Sequence, residues 1–153
     1  MTAQQISFVK NSLQAAVSAG ASFNMNPTVI LAQAAFESGW GMSKLATGSN
    51  NYFGLTAYGC SNQYWHGGKT TVNTGSYSLD FRRYDTRENS FLDFARLIHT
   101  AYPVAASLSA HPSAYAKEIA YSKYISEVNG DNREAYRRML VSISRTIEKA
   151  IAN

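Results

Sequence analysis

The chain opens on an amphipathic segment in which Ile6, Val9, Leu13, Ala16 and Val17 recur at helical spacing. Thr2 and Gln5 stand where a capping box would start that helix, and Gly20 stands where it would end. A second helix is predicted from Asn26, which can cap it, through Pro27, which forfeits no hydrogen bond at the first helical position, to about Trp40. Val29, Ile30, Leu31, Ala32, Ala34, Ala35 and Phe36 make it apolar on several sides, the mark of a buried central helix. From Gly48 to Tyr84 this periodicity gives way to glycine, asparagine, threonine and aromatic residues. There Tyr77, Leu79, Phe81 and Arg83 alternate with Ser78, Asp80 and Arg82, predicting a strand that "NTG" turns back onto "KTTVN". Helical patterning returns with Asp85 and Glu88 as a capping box before Phe91, Phe94, Ala95 and Ile98, and Pro103 marks its end. A short helix is predicted from Ser113 to about Ser122. In the last one, Asp131 and Glu134 box the start of a stripe of Tyr136, Met139, Leu140, Ile143 and Ile147. The expected architecture is a single domain over residues 1–153, mainly α in an α+β arrangement, with a small β-lobe at about 48–84 after the second helix.

Composition narrows the class. With 153 residues, 45% of them hydrophobic, the chain can bury one sufficient core. No stretch approaches the roughly 20 apolar residues that span a bilayer, and "MTAQQISFVK" lacks a basic segment followed by an apolar one. Neither membrane insertion nor a signal peptide is therefore expected. Cys60 is the only cysteine, so a single chain forms no internal disulfide. The net charge of +4 favours anionic partners such as cell-wall polymer, and fits equally a soluble basic domain. His66, His99 and His111 lack metal-ligand spacing, and neither a metal nor another cofactor is expected. No phosphate loop, nucleophile triad or helix-turn-helix pattern occurs, so nucleic acid is not an expected partner.

One polar residue then demands attention. On the second helix Ile30, Gln33, Ala34 and Glu37 share a stripe, so an inward-facing stripe carries a carboxyl group with it. Desolvation and the negative end of the helix dipole would both raise the pKa of Glu37. A carboxylic acid kept protonated near neutrality is what glycoside cleavage needs at the leaving oxygen. Gly39 and Gly41 leave room for a bulky substrate, and Trp40 offers a face on which a sugar ring can stack. The alternative is a helix-end acid in a salt bridge, with the glycines as terminal caps. In the β-lobe, Trp65 is a candidate for lining a groove.

"ILAQAAFESGWGMSKLA", then "SNNYFGLTA", then "FRRYDTRENSFLDFARLI" resemble, in order, the peptidoglycan-hydrolysing β-N-acetylglucosaminidases of glycoside hydrolase family 73. The resemblance runs from about Pro27 to the last helix. It implies a lysozyme-like fold, a helical lobe and a small β-lobe with a glycan groove between them. It also implies cleavage of the bond from N-acetylglucosamine to N-acetylmuramic acid in peptidoglycan strands. By position, the general acid falls on Glu37, and a substrate-binding motif falls on Asn51, Tyr52, Phe53 and Gly54. The active-site tyrosine falls on Tyr124, with Tyr121 as the alternative. Many members carry a second glutamate in the β-lobe, yet between Glu37 and Glu88 the only acids here are Asp80 and Asp85. Asp80 is the remaining candidate for a direct catalytic role, and Asp85 is read as a helix cap. Without a second carboxylate, the substrate's own 2-acetamido group can serve as nucleophile. A muramidase, a lytic transglycosylase and a non-catalytic wall-binding or assembly domain are the alternatives. A monomer acting in the periplasm or on the extracellular wall is expected; the absent export signal fits a phage lysin, a virion-associated lysin or an injected effector.

Overall fold

The computed structural model describes residues 1–126 and 130–152. Helix α1 (Ala3–Phe23) is started by the expected capping box, in which Gln5 N–H donates to the Thr2 hydroxyl and Thr2 N–H to the Gln5 side chain. Gly20 does not end it. The helix runs on to Asn24, which adopts a left-handed conformation (φ 54°), and Gly20 lies inside because a Cβ there would sit 2.5 Å from the Met25 carbonyl oxygen. The buried face of α1 is Phe8, Val9, Ser12, Ala15, Ala16 and Ala19, whereas Ile6 and Val17 are exposed. Small residues let the neighbouring helices approach closely, and they win the core side over the larger aliphatic pair.

Helix α2 (Pro27–Ser38) starts as its sequence predicts, with Thr28 N–H donating to Asn26 Oδ1 at 3.0 Å. It is buried from Val29 through Ala35 and ends at Ser38, two residues before the expected end, with Gly39 as its cap. A short helix, α3 (Lys44–Ser49), follows, capped by Ser43; it is absent from the sequence reading, which placed the change of character at Gly48. The antiparallel hairpin of β1 (Lys69–Asn73) and β2 (Ser78–Arg82) pairs Lys69 with Arg82 and Asn73 with Ser78. Thr56 adds a bridge to Phe81.

Helix α4 (Arg87–Ala101) is capped by Thr86, whose hydroxyl accepts from Asn89 N–H. Asp85 is not the cap: its carboxylate accepts from His66 Nδ1 at 2.8 Å. Pro103 ends α4 but also begins another short helix, α5 (Pro103–Ser107). Helix α6 spans Pro112–Ala120 and helix α7 spans Gly130–Ala152. Asp131 lies in the first turn of α7, and Glu134 pairs with Arg137 and Tyr121. The core gathers α2 between α1 and α7, with α4 and α6 completing the enclosure, and Leu140, Ile143 and Ile147 are the buried side of α7. Met139 of the predicted stripe is exposed. No helix among the described residues is long and apolar enough to cross a membrane.

Candidate active site

Glu37 occupies the last turn of α2, immediately before the backbone reverses through Gly39 and Trp40, both at φ 57°. The residue is open to solvent on one side, while protein crowds its base. Desolvation raises its carboxyl above the ordinary value, and a hydrogen bond from Tyr136 Oη to Oε1, at 2.9 Å, partly offsets that rise. Tyr136 is fixed in turn by its ring, which meets Phe36 edge-on at 4.9 Å.

One turn earlier on the same stripe, Gln33 is wholly buried, and a buried amide must find partners. Two phenols supply them: the Tyr115 hydroxyl donates to Oε1 at 2.6 Å, and Nε2 donates to Tyr136 Oη at 3.3 Å. Tyr124 and Tyr136 are both pushed well above the ordinary phenol value, burial being the main cause, so both are neutral hydroxyls at physiological pH. Tyr124 is positioned by Phe94 and Tyr102, whose rings meet it edge-on at 6.2 and 5.8 Å. Tyr121 stands apart from this cluster, exposed, its hydroxyl donating to Glu134 at 2.9 Å. The structure thus brings Glu37, Tyr124 and Tyr136 together around Gln33. Tyr136, Gln33 and Tyr115 were missed as site residues. The legible signal was Gln33, a polar side chain in an otherwise apolar helix and one turn from the acid.

The β-lobe residues read as substrate contacts lie elsewhere in the packing. Asn51, Tyr52 and Phe53 are 1%, 4% and 2% exposed, too little to offer a ligand surface. Asn51 instead ties the lobe together. Its amide donates to the Leu55 and Arg82 carbonyls, and its Oδ1 accepts from the Phe53 and Leu55 N–H groups. Phe53 stacks on Phe94 at 3.9 Å, so the motif supports the ring beneath Tyr124. Gly54, at φ 66° with open space where a Cβ would point, is the member that remains accessible. Trp65 is also buried: its indole N–H donates to the Gly68 carbonyl, and the Arg82 guanidinium covers its ring at 4.1 Å. Both its donor and a face are occupied, so it is not a groove wall. Trp40 is partly exposed and packs against Phe8 at 6.0 Å. Asp80 is exposed on the hairpin and accepts from the Thr71 hydroxyl at 2.6 Å.

A second ionic cluster underlies the lobe. Asp93 of α4 is fully buried and accepts from Asn62, Arg82, Tyr84 and Arg96. Burial acts to raise its carboxyl, but these bonds and the Arg82 charge outweigh burial and hold it below the ordinary value. It anchors the lobe to α4. Concave surfaces of about 510 Å³ beside Arg82 and Arg96, and of about 450 Å³ along α7, do not include Glu37. Glu37 lies on an open rim, which suits a long substrate better than an enclosed small molecule. No group of acids, cysteines and histidines among the described residues could hold a metal ion.

A buried helix that ends in a solvent-facing glutamate, within a helical domain carrying a small hairpin lobe, matches the lysozyme-like fold of glycoside hydrolase domains. The chain belongs to the mannosyl-glycoprotein endo-β-N-acetylglucosaminidase family, which it matches over residues 13–149. It is 31% identical over 104 residues to the peptidoglycan hydrolase FlgJ of Vibrio parahaemolyticus, a match that covers 61% of this chain and 32% of that protein. Similarity thus spans about a third of that relative's own length. The fold is also that of a chain in a type VI secretion system effector–immunity complex from Pseudomonas protegens, with 22% identity, a TM-score of 0.77 and coverage of 99% and 96% of the two chains. The glycoside hydrolase domain of Salmonella typhimurium FlgJ aligns at a TM-score of 0.73 with 24% identity, over 95% of this chain and 89% of that one.

Proposed function

We propose that the protein is a peptidoglycan hydrolase, an endo-β-N-acetylglucosaminidase that cleaves the bond from N-acetylglucosamine to N-acetylmuramic acid. Glu37 is the general acid and Tyr124 its helper. The observation that carries this reading is the environment of Glu37: open to substrate on one side, desolvated at its base and gripped by a neutral phenol. In the reaction the glycosidic C1–O bond breaks, its electron pair goes to the leaving oxygen, and that oxygen takes the proton of Glu37. Water then adds to C1 and returns a proton to the carboxylate.

A single protein carboxylate does the acid–base work. Retaining enzymes with two place them about 5–5.5 Å apart, close enough for each to perturb the other strongly. Among the described residues the influences on Glu37 are burial and Tyr136, with no carboxylate named, and Asp80 is engaged by Thr71. This favours the 2-acetamido oxygen of the substrate as the nucleophile: it bonds to C1 as the glycosidic bond breaks, and the incoming water displaces it from C1 and restores the acetamido group, with the Tyr124 hydroxyl placed to orient that group. Asp80 is assigned no direct step.

Glu37→Gln tests the assignment. Clearing of cell-wall suspensions should fall at least 10²-fold, the usual scale for a general acid; retained clearing would remove Glu37 from the mechanism. Mass spectrometry of the wild-type digest identifies the bond. Reducing N-acetylglucosamine ends support the proposal, N-acetylmuramic acid ends indicate a muramidase, and anhydro-muramic ends a transglycosylase. Binding without any product would indicate a wall-binding domain. The substrate places the working protein in the periplasm or at the extracellular wall, and likeness to the effector fold supports delivery by injection.

A further inference from the structure

We infer that a one-way hydrogen-bond chain, from Tyr115 through Gln33 and Tyr136 to Glu37, dictates which oxygen of Glu37 carries the catalytic proton. Oε1 is held as an acceptor, and Oε2 is the donor to substrate. This rests on the reading of Glu37 as the general acid.

The chain can be followed proton by proton. The buried Tyr115 hydroxyl has one proton and lies 2.6 Å from Gln33 Oε1, so it donates there. That bond sets the amide: with Oε1 accepting, Nε2 and its protons face Tyr136 Oη at 3.3 Å. Tyr136, having received a proton from Gln33, directs its own to Glu37 Oε1 at 2.9 Å. A second proton on Oε1 would collide with it, so the acid proton sits on Oε2. Tyr136, Gln33 and Tyr115 are positioning residues. They touch the acid or one another, not the reacting atoms.

The opposite polarity has a distinct signature. If Gln33 presented its oxygen to Tyr136, that phenol would donate to Gln33 and accept from protonated Glu37, favouring the protonated acid instead of the carboxylate. Among the described residues the titratable groups around Glu37 are Tyr136 from α7 and Tyr124 from the segment after α6, with Tyr115 of α6 and Tyr102 behind them. All four are phenols raised above their ordinary range, with burial the leading cause, so they stay neutral where a glutamate titrates.

Tyr136→Phe keeps the ring against Phe36 and removes only the hydroxyl. Glu37 is then titrated in the whole protein by ¹³C NMR of labelled glutamate carboxyls, assigned with the Glu37→Gln spectrum, and kcat is measured against pH on purified peptidoglycan. Loss of a bond that favours the carboxylate should raise the Glu37 pKa by roughly 0.5 unit or more and carry the alkaline limb of kcat upward with it. At the optimum, kcat should fall on the order of 10²-fold, with KM little changed, because the acid is no longer aimed. A downward shift means the reverse polarity, an unmoved titration means no coupling, and either overturns the inference. Tyr115→Phe, which removes the first proton of the chain, should move the Glu37 titration in the same upward direction and serves if Tyr136→Phe does not fold. Because the NMR titration does not depend on turnover, retained activity in Glu37→Gln would end the catalytic reading while leaving the proton polarity to be decided separately.

Discussion

Because desolvation raises the Glu37 carboxyl, the charged form of this side chain opposes folding at neutral pH, and the sign of that opposition can be measured. A carboxyl raised in the folded state contributes most below its unfolded pKa and loses that contribution as pH rises through the folded value. Glu37→Gln should therefore melt at the same temperature as the parent near pH 4 and slightly higher at pH 7, while activity is lost. The two tyrosine candidates separate as cleanly. Tyr124→Phe removes a hydroxyl from the Gln33 cluster and should lower kcat on the order of 10²-fold, the scale of losing one aimed donor. Tyr121→Phe releases only Glu134 on the surface and should leave turnover nearly unchanged. Glu37 itself was legible in the sequence because a helical repeat aligns it with buried neighbours. Tyr136 was not, since its hydroxyl meets a residue 99 positions away and helical spacing explains its ring alone.

The hairpin lobe has little apolar core of its own: Leu79 is exposed and β1 buries none of its five residues. Polar fastening compensates, through Asn51 on one side and the Asp93 cluster on the other. Asp93→Asn would leave the Arg82 charge buried without its partner and should cost about 3–5 kcal/mol in denaturant unfolding at pH 7. Since the Asp93 carboxyl is held low, its contribution is complete above the ordinary carboxylate range and disappears as pH falls through the folded value, so variant and parent should converge in acid. Asn51→Ala should cost roughly 1–3 kcal/mol by stranding buried backbone groups. Helix starts with a local signature, at Thr2 and Asn26, were legible, as was the hairpin. Asp85 misled because a cap one residue later, Thr86, serves equally well locally, and the choice was settled by a long-range bond to His66. The burial of Trp65 and Asn51 was likewise invisible, since an aromatic face and a polar amide look available until Arg82 and the loop carbonyls are seen to occupy them.

Taken whole, the molecule carries its excess positive charge unevenly. Arg138, Arg145 and Lys149 line one concave side of α7 and make no ion pair among the described residues. Attraction of an exposed cationic face to an anionic wall is screened by salt. Added salt should therefore weaken retention on intact wall more than it slows cleavage of small uncharged fragments, as a sedimentation assay run beside a fragment assay would report. The order of helices around a β-excursion was readable from periodicity, whereas the convergence of α2, α6 and α7 on one glutamine required the folded arrangement. That convergence also bears on the timing of synthesis. The phenol that grips Glu37 sits on α7, 99 positions further along the chain, so a nascent or prematurely stopped chain that lacks α7 holds an unaimed acid. Under the proposed function, a cell is thereby shielded from copies stopped short of α7, since cutting waits for that helix to dock.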